Sequence, residues 1–274
     1  MSERRLVVTA DDFGADLAVN EAVERAHVDG ILTAASLMVT GAAAEDSVKR
    51  ARRLPTLGVG LHLVLVEGRP ALPPNQVPDL VDAQGHFRTN MVRAGIDIFF
   101  RPTVRRQLAA EIAAQFAAFA ATGLRLDHVN AHKHFHLHPT IAGLILEIGP
   151  RYGMKAVRAP VEPAVIIGAI EPRRNGGIDW IANSYARTAQ ARLRRAGMLV
   201  PDQLFGLAWS GALTQARLAA LLERLPPGLS EIYCHPAIRD DFPGHAPGYR
   251  YRDDLDALLG VSTAVKRGNF ADFA

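Results

Sequence analysis

The densest group of possible metal ligands in the sequence lies between His128 and His138, which holds five of the ten histidines. On an extended chain successive side chains point to opposite faces, so these histidines and Asn130 would share one face. The other face would carry Val129, Ala131, Phe135 and Leu137. Neutral imidazole binds zinc and other divalent ions, and it exchanges protons near neutral pH. The stretch therefore predicts a metal site, with a solvated polar strand end as the alternative.

Two other places in the chain offer groups that could complete such a site. Asp11 and Asp12 follow the apolar segment 6–10 directly, and His62 is flanked by apolar residues. Two adjacent carboxylates repel each other, so one is expected to bind a cation while the other stays available as a base. An acid pair at a helix N-terminus is the alternative. Alone, His62 is typical of a buried core histidine, but with Asp12 and His132 it forms a ligand set that leaves room for water.

The segment Cys234-His235-Pro236 ends another apolar stretch. Cys234 and His235 would point to opposite faces of a strand, so they do not form a nucleophile and base pair. Cys234 is expected in the core. His235 is a candidate general acid opposite the metal.

The elements that must position these groups alternate between strand and helix. Strands are predicted at 5–10, 31–39, 57–66, 128–138, 155–158, 203–208 and 229–234, and helices at 16–29, 42–53, 103–122, 139–148, 178–197, 214–225 and 253–260. Asp16, Thr103 and Thr214 are the expected helix caps, and residues 67–102 read as a long functional loop. The alternation predicts a parallel sheet. We expect one domain, 1–274, forming a deformed, TIM-barrel-like (β/α) barrel of about seven parallel strands, with a doubly wound open sheet as the alternative.

In either fold the chemistry belongs at the carboxyl ends of the strands. The candidate groups lie there in the chain: Asp11, Asp12, His62, His132, Arg158 and His235. Polar groups at successive strand ends are therefore a second indication of a single site.

Composition excludes several classes of protein. A net charge of +3, without interleaved aromatic and basic residues, gives no support for nucleic acid binding. Cys234 is the only cysteine, so an internal disulfide and a cysteine zinc cluster are excluded. No apolar run is long enough for a membrane span. We expect a cytoplasmic protein, with contact at the surface of the inner membrane as an option because of Arg187, Arg192, Arg194 and Arg195.

Four stretches together resemble the YdjC-like family of carbohydrate deacetylases. They are Thr9–Gly14, the strand around His62, Asn130–His136 and Cys234–Pro236, and their order and spacing match over nearly the whole chain. The resemblance implies a deformed (β/α) barrel that removes the acetyl group from N-acetylated sugars. It also implies one divalent metal ion as cofactor, with zinc or magnesium expected.

Carried over by position, the resemblance implies roles for individual residues. Asp11 would be the catalytic base, with Arg158 orienting it and His235 acting as the acid. The metal ligands would be Asp12, His62 and His132. We also expect substrate contacts from His134, Phe13 and Trp209. The chain departs from the family at Asn130-Ala131, where Asp-Ser is frequent. Asparagine can orient an imidazole, but it lacks the charge that raises the basicity of that imidazole.

The later half, in Asp202–Gly211 and Leu225–Leu229, looks like the HpnK branch, which is associated with hopanoid biosynthesis. This likeness implies an N-acetylglucosaminyl group on a bacteriohopanepolyol lipid as substrate. Ile166, Ile167, Leu204, Phe205 and Trp209 could receive part of that lipid, or they could be ordinary core.

Several alternatives stay open at this point. The substrate could be a soluble chitooligosaccharide such as diacetylchitobiose. The chain could be a phosphoesterase or amidohydrolase of another barrel family, although those place a His-x-His pair at the first strand. It could also be a histidine-rich metal carrier, which needs neither the aspartate pair nor His235. A homo-oligomer is possible in every case.

Overall fold

The computed structural model describes residues 3–172 and 177–274. Within them the strands are β1 Arg4–Phe13, β2 Ala34–Leu37, β3 Gly58–Leu63, β4 Val129–Ala131, β5 Gln203–Phe205, β6 Gly228–Cys234 and β7 Lys266–Arg267. Six strands run in the order β4-β3-β2-β1-β6-β5, and β7 pairs with β1. Every pairing is parallel.

Helices follow most of the strands along the chain. They are α1 Leu17–Val28, α2 Ala44–Arg53, α3 Met91–Phe100, α4 Pro102–Ala121, α5 Pro139–Ile148, α6 Ala164–Ile170, α7 Gly177–Arg195, α8 Gln215–Arg224 and α9 Tyr251–Gly260. Short 3-10 turns occupy Pro74–Gln76, His132–Leu137, Gly149–Tyr152 and Phe270–Asp272. The predicted α/β architecture is confirmed: a curled parallel sheet with flanking helices, as in a deformed (β/α) barrel.

The segment around residue 157 closes the gap between the two ends of the sheet. Val157 forms a parallel bridge with Val129, and Ala156 forms one with Leu199. The N–H of Leu204 donates to the carbonyl of Val161 at 2.9 Å. The predicted strand 155–158 is therefore present only as isolated bridges, and the barrel is irregular there.

The interior of the curled sheet carries charge. Apolar residues of β1 such as Leu6 and Val8 are fully buried, but so are Arg158 and Glu231. Buried charges need partners, because transfer of an unpaired charge out of water is very costly. The core is therefore built around an ion-pair system that belongs to the candidate site. No helix among the described residues is long and apolar enough to cross a membrane.

Two of the three expected helix caps are present. Asp16 accepts from the N–H of Ala18, and Thr214 accepts from that of Arg217. The prediction for Thr103 is wrong. Helix α4 begins at Pro102, one residue earlier, because proline suits the first turn and Arg101 already has the extended backbone of a cap.

Residues 67–102 are not a plain loop. A bridge joins Val81 to Phe87, and α3 fills the second half of the segment. The side chain of Asn90 starts this helix by accepting from the N–H of Arg93 at 3.0 Å. Ile98 then anchors it in the core. The apolar residues of α3 lie on two faces, so the sequence did not show the single stripe that marks an ordinary helix.

Candidate active site

The histidine-rich segment changes direction immediately after its first predicted ligand. Strand β4 ends at Ala131, and a 3-10 turn follows in which Lys133 and His134 have φ of 52° and 53°. The prediction of one extended strand through His138 is wrong, because two consecutive left-handed residues break the alternation of side chains. The histidines therefore face different surroundings and do not act as one group.

Asp12, His62 and His132 converge on one point. The Oδ1 atom of Asp12 lies 3.3 Å from Nε2 of His62 and 3.4 Å from Nδ1 of His132. One ligand atom from each residue falls within 4.8 Å of the other two. The strand ends explain this: Asp12 is at the end of β1, His62 is near the end of β3, and His132 follows β4 directly.

Two of the three atoms that would touch a metal have no hydrogen-bond partner among the described residues. Asp12 Oδ1 and His62 Nε2 are buried and accept no hydrogen bond from any described residue. Leaving buried polar atoms unpaired costs about 1–3 kcal/mol each. A divalent cation would remove this cost, and two imidazoles with one carboxylate are ligands that such ions accept. The three residues therefore fit a metal site with open positions for water or substrate.

A chain of hydrogen bonds through Asn130 fixes which nitrogen of His62 faces that point. The Asn130 amide nitrogen lies 3.0 Å from Oδ1 of Asp11, which can only accept. The amide oxygen must then face His62, and it lies 2.7 Å from Nδ1. Nδ1 therefore carries the proton, and Nε2 presents a lone pair toward Asp12. Asn130 orients the candidate ligand His62, an assignment that the sequence left open.

Asp11 is held by a buried guanidinium. Arg158 donates to both oxygens of Asp11, one at 2.9 Å, and also to Oε1 of Glu231 at 2.7 Å. Burial alone would raise the pKa of Asp11, but the charge and hydrogen bonds of Arg158, together with the charges of His62 and His235, hold that pKa well below its usual range. The same pairing raises the pKa of Arg158 against the effect of its own burial. Asp11 is therefore a fixed carboxylate next to Asp12.

A second line of polar groups behind Asp11 was not foreseen from the sequence. Ser36 donates to Oδ1 of Asp11 at 3.2 Å and lies 2.9 Å from Nε2 of His128. Nδ1 of His128 in turn lies 2.9 Å from Asp127. Ser36 and His128 are fully buried. His128 was counted among the possible ligands, but it is a structural residue that stacks on Phe270 with 4.4 Å between ring centroids.

His235 lies between two tyrosine rings, with centroids 5.5 Å from Tyr233 and 5.3 Å from Tyr249. Its backbone N–H donates to Oδ2 of Asp254 at 2.8 Å, and its Nδ1 is buried without a partner among the described residues. Burial lowers the pKa of His235, although the negative charges of Asp12 and Asp11 oppose this. The imidazolium form is therefore a stronger acid than usual. Asp254, which sequence reasoning missed, holds this residue through a backbone contact that no motif reveals.

The remaining histidines of the segment have partners away from Asp12. His134 Nε2 lies 3.3 Å from the Tyr233 hydroxyl, and His136 Nε2 donates to the carbonyl of Arg158 at 3.0 Å. Burial and the charge of Arg158 lower the pKa of both, to about 3 for His136. Both are neutral at physiological pH.

Two of the three expected substrate contacts have buried side chains, and their roles stay predictions. Phe13 is fully buried, and Trp209 is buried with its indole N–H donating to Glu171 at 3.0 Å. Both side chains belong to the core, because strand β1 turns Phe13 inward and the Glu171 contact fixes Trp209. Of the other apolar candidates, Ile167, Leu204 and Phe205 are also buried. His134, the third of them, lies beside Tyr233 and stays a predicted substrate contact.

Comparisons with known proteins agree with this geometry. The sequence matches the YdjC-like protein family over residues 5–266. It is 31% identical to a carbohydrate deacetylase of Geobacillus stearothermophilus, over 86% of this chain and 81% of that protein. It is 38% identical to a carbohydrate deacetylase of Brevibacillus brevis, over 62% of this chain and 63% of that protein.

A solved structure supports the fold along the full length of both chains. It is a protein of Enterococcus faecalis V583 that has been assigned to cellobiose-phosphate cleavage, with a TM-score of 0.76, 25% identity and complete coverage of each chain. The family match covers nearly all of the sequence, including Asp11, Asp12, His62, His132 and His235. The chain therefore belongs to the YdjC-like family.

Proposed function

We propose that this protein is a metal-dependent N-deacetylase that removes acetate from an N-acetylglucosaminyl group. The observation that carries the proposal is the contrast between two adjacent aspartates: Asp12 turns a free oxygen to His62 and His132, while Asp11 is bound by Arg158. Asp12 is thus available to a cation, and Asp11 is kept as an ionised base. The relatives described above are carbohydrate deacetylases, which supports the same reaction class here.

Asp12, His62 and His132 would hold the ion, which we expect to be zinc or magnesium. When bound, such an ion lowers the pKa of a water ligand and polarises a carbonyl. Asp11 takes the proton of the attacking water, and Arg158 keeps the carboxylate in place. His62 is oriented for its role by Asn130.

The departing amine needs a proton, since an amide anion is far too basic to leave. His235 supplies it from its imidazole ring, whose pKa is affected by burial and by the charges of Asp12 and Asp11. Once protonated, His235 is a stronger acid than a free imidazolium, because burial lowers its pKa. The acyl carbon gains an oxygen from water, the C–N bond breaks, and the products are acetate and a glucosamine.

Glycosidic cleavage, suggested by the role assigned to the Enterococcus protein, fits these residues less well. That reaction generally uses two carboxyl groups on opposite sides of the bond, one of them protonated as an acid. Asp11 is bound by a guanidinium that keeps its pKa very low, so it cannot serve as the acid. Amide hydrolysis requires no protonated carboxyl group.

For the substrate, we propose an N-acetylglucosaminyl group attached to a bacteriohopanepolyol lipid, with diacetylchitobiose as the alternative. The likeness of 202–211 and 225–229 to the hopanoid branch supports the lipid. A cytoplasmic enzyme working at the inner membrane would be consistent with it.

The test is acetate release by metal-reconstituted protein from acetylglucosaminyl bacteriohopanetetrol and from diacetylchitobiose, with Asp11→Asn as control. Release from the lipid alone supports both the reaction and the substrate. Release from the sugar alone keeps the reaction and rejects the lipid. If neither substrate releases acetate, or if the Asp11→Asn variant is active, the proposed chemistry is rejected.

A further inference from the structure

Helix α3 has an apolar face that no described part of the chain covers. Val92, Ile96, Phe99 and Phe100 follow the spacing i, i+4, i+7 and i+8, which places them within about 100° of the helix circumference. All four side chains are exposed, Val92 by 75% and Phe100 by 73%. Soluble helices turn such a stripe inward, and α3 already has another apolar residue, Ile98, in the core.

This exposed stripe forms one side of a shallow, open groove beside the histidine segment. The groove has a volume of about 420 Å³, and its other side is formed by Phe135 and His138. His138 Nε2 donates to the carbonyl of Gly95 at 3.1 Å, which ties α3 to the histidine segment. Phe135 comes three residues after the ligand His132, so their Cα atoms are at most about 11 Å apart.

Positive charge surrounds the stripe. Five arginines lie between residues 88 and 106, and Asp97 is the only acid in that stretch. Asp97 already has Arg88 and Arg101 within 3.7 and 3.8 Å. Arg93 and Arg106 are exposed, and neither pairs with a carboxylate among the described residues. Arg105 lies over the ring of Phe99, 5.9 Å from its centroid.

We infer that α3 is a membrane-docking helix, which inserts this apolar face into the interface of a bilayer that contains anionic lipid. An exposed stripe of Phe, Ile and Val beside arginines is the pattern of helices that lie in the plane of a membrane surface. The arginines complement acidic headgroups, each contributing to the attraction near the surface. The groove opening would then face the membrane, close to the ligand segment.

A second copy of the chain fits this face less well. In a two-fold dimer the same patch contacts itself, so the arginines of both copies would meet without acids to neutralise them. The arginines of α7 are less suitable for a membrane role, because Arg194 bonds Asp202 and Arg192 bonds the carbonyl of Pro139. Helix α3 is the described element that combines apolar exposure with unpaired positive charge.

The test is co-sedimentation of the protein with vesicles of phosphatidylcholine, with and without phosphatidylglycerol. Wild-type protein should sediment with the anionic vesicles and dissociate as salt is raised. Val92→Ser/Phe100→Ser should reduce the bound fraction roughly tenfold or more, because the inserted side chains are lost. Arg93→Glu should weaken binding to the vesicles that contain phosphatidylglycerol but not to those of phosphatidylcholine only.

Matched controls lie at the other end of the barrel. Val28 ends α1 shortly before β2 begins and is 62% exposed, so Val28→Ser makes the same change as Val92→Ser away from the groove. Arg25→Glu on α1 likewise matches Arg93→Glu. Both controls should bind vesicles like the wild type. Loss of binding in the controls, or none in the α3 variants, overturns the inference.

Light scattering tests whether a second copy of the chain, rather than a membrane, covers this face. If the wild type dimerises, Val92→Ser/Phe100→Ser is monomeric, and neither sediments with vesicles, the face is an interface between copies and the inference is wrong. Vesicle binding is measured without substrate or metal. It therefore does not depend on the proposed deacetylase activity, and either idea can fail alone.

Discussion

Asn130 and His62 share one short hydrogen bond, 2.7 Å from the amide oxygen to Nδ1, and this bond leaves His62 Nε2 to face Asp12. Asn130 is itself oriented by Asp11 and Ser36, which lie 3.0 and 2.8 Å from its amide nitrogen. One asparagine therefore connects the proposed base, Asp11, to a proposed ligand of the metal, His62. Its orientation and that of His62 cannot change independently.

Replacing Asn130 by alanine should weaken metal binding by ~10–100-fold, because His62 loses the acceptor that fixes its ring and tautomer. Competition with a metal-binding dye measures the affinity directly. Asn269→Ala serves as a control far from the ligands. An unchanged affinity would show that His62 keeps its orientation without Asn130.

Replacing Asn130 by aspartate should separate the two functions of this residue. A carboxylate still accepts from His62, so metal affinity should be retained. The same carboxylate would face Asp11, where the amide now donates, and two like charges at that distance repel. We expect kcat to fall while the metal remains bound, measured as turnover per bound ion. A full kcat would contradict the proposed coupling to the base.

His132→Ala should lose the metal, whereas His134→Ala should keep it. His132 presents Nδ1 to Asp12, but His134 turns Nε2 toward Tyr233. Metal content after dialysis, determined by elemental analysis, distinguishes the two variants. If His134→Ala is the variant that loses the ion, the ligand assignment has to be revised.

Arg158→Met should destabilise the protein by about 3–5 kcal/mol, because Asp11 and Glu231 would remain buried without a counter-charge. Glu231→Gln should cost less, since Arg158 keeps its contacts with Asp11. Urea denaturation of both variants gives the free energies of unfolding. Equal losses would mean that the two carboxylates do not depend on Arg158 in this way.

His235→Ala should reduce kcat by ~10²–10⁴-fold on an N-acetyl sugar, the range for loss of a general acid or base. The loss should largely disappear with an activated acetate ester, whose leaving group departs without a proton. Steady-state kinetics on both substrates makes the comparison. An equal loss on the ester would argue that His235 only maintains the shape of the site.

Asp254 should make stability depend on pH. Burial raises its pKa to about 7 from 3.8, although the N–H groups of His235 and Leu213 oppose the shift. A carboxyl group with a raised folded pKa stabilises the fold fully below its unfolded pKa, and this contribution is lost as pH rises through about 7. Thermal melts between pH 3.8 and about pH 7 should show a melting temperature that falls as pH rises, and this fall should be absent in Asp254→Asn. A wild-type curve as flat as that of the variant would contradict the shift.

The sequence was sufficient for the fold class and for the convergence of Asp12, His62 and His132, because strand ends of a parallel sheet meet at one edge. It was insufficient where a contact joins distant positions without a periodic signal. Ser36 and Asp254 are ordinary in sequence, and only the packing of β2 and α9 brings them to Asp11 and His235.

Local backbone conformation accounts for the main error. Period-two reasoning treats every residue after Ala131 as extended, and Lys133 and His134 are left-handed. The presence of a lysine or a histidine does not predict a left-handed backbone, which for non-glycine residues requires support from the surrounding structure.

The backbone at Asp12 has an evolutionary consequence. Its φ of 63° is a conformation that glycine, asparagine, aspartate and histidine tolerate better than other residues. A lineage could therefore exchange this carboxylate for an imidazole or an amide by mutation, but a longer glutamate would strain the chain. Saturation of position 12 should return a narrow set of metal-binding survivors, so divergence in metal preference within such proteins has few routes through this residue.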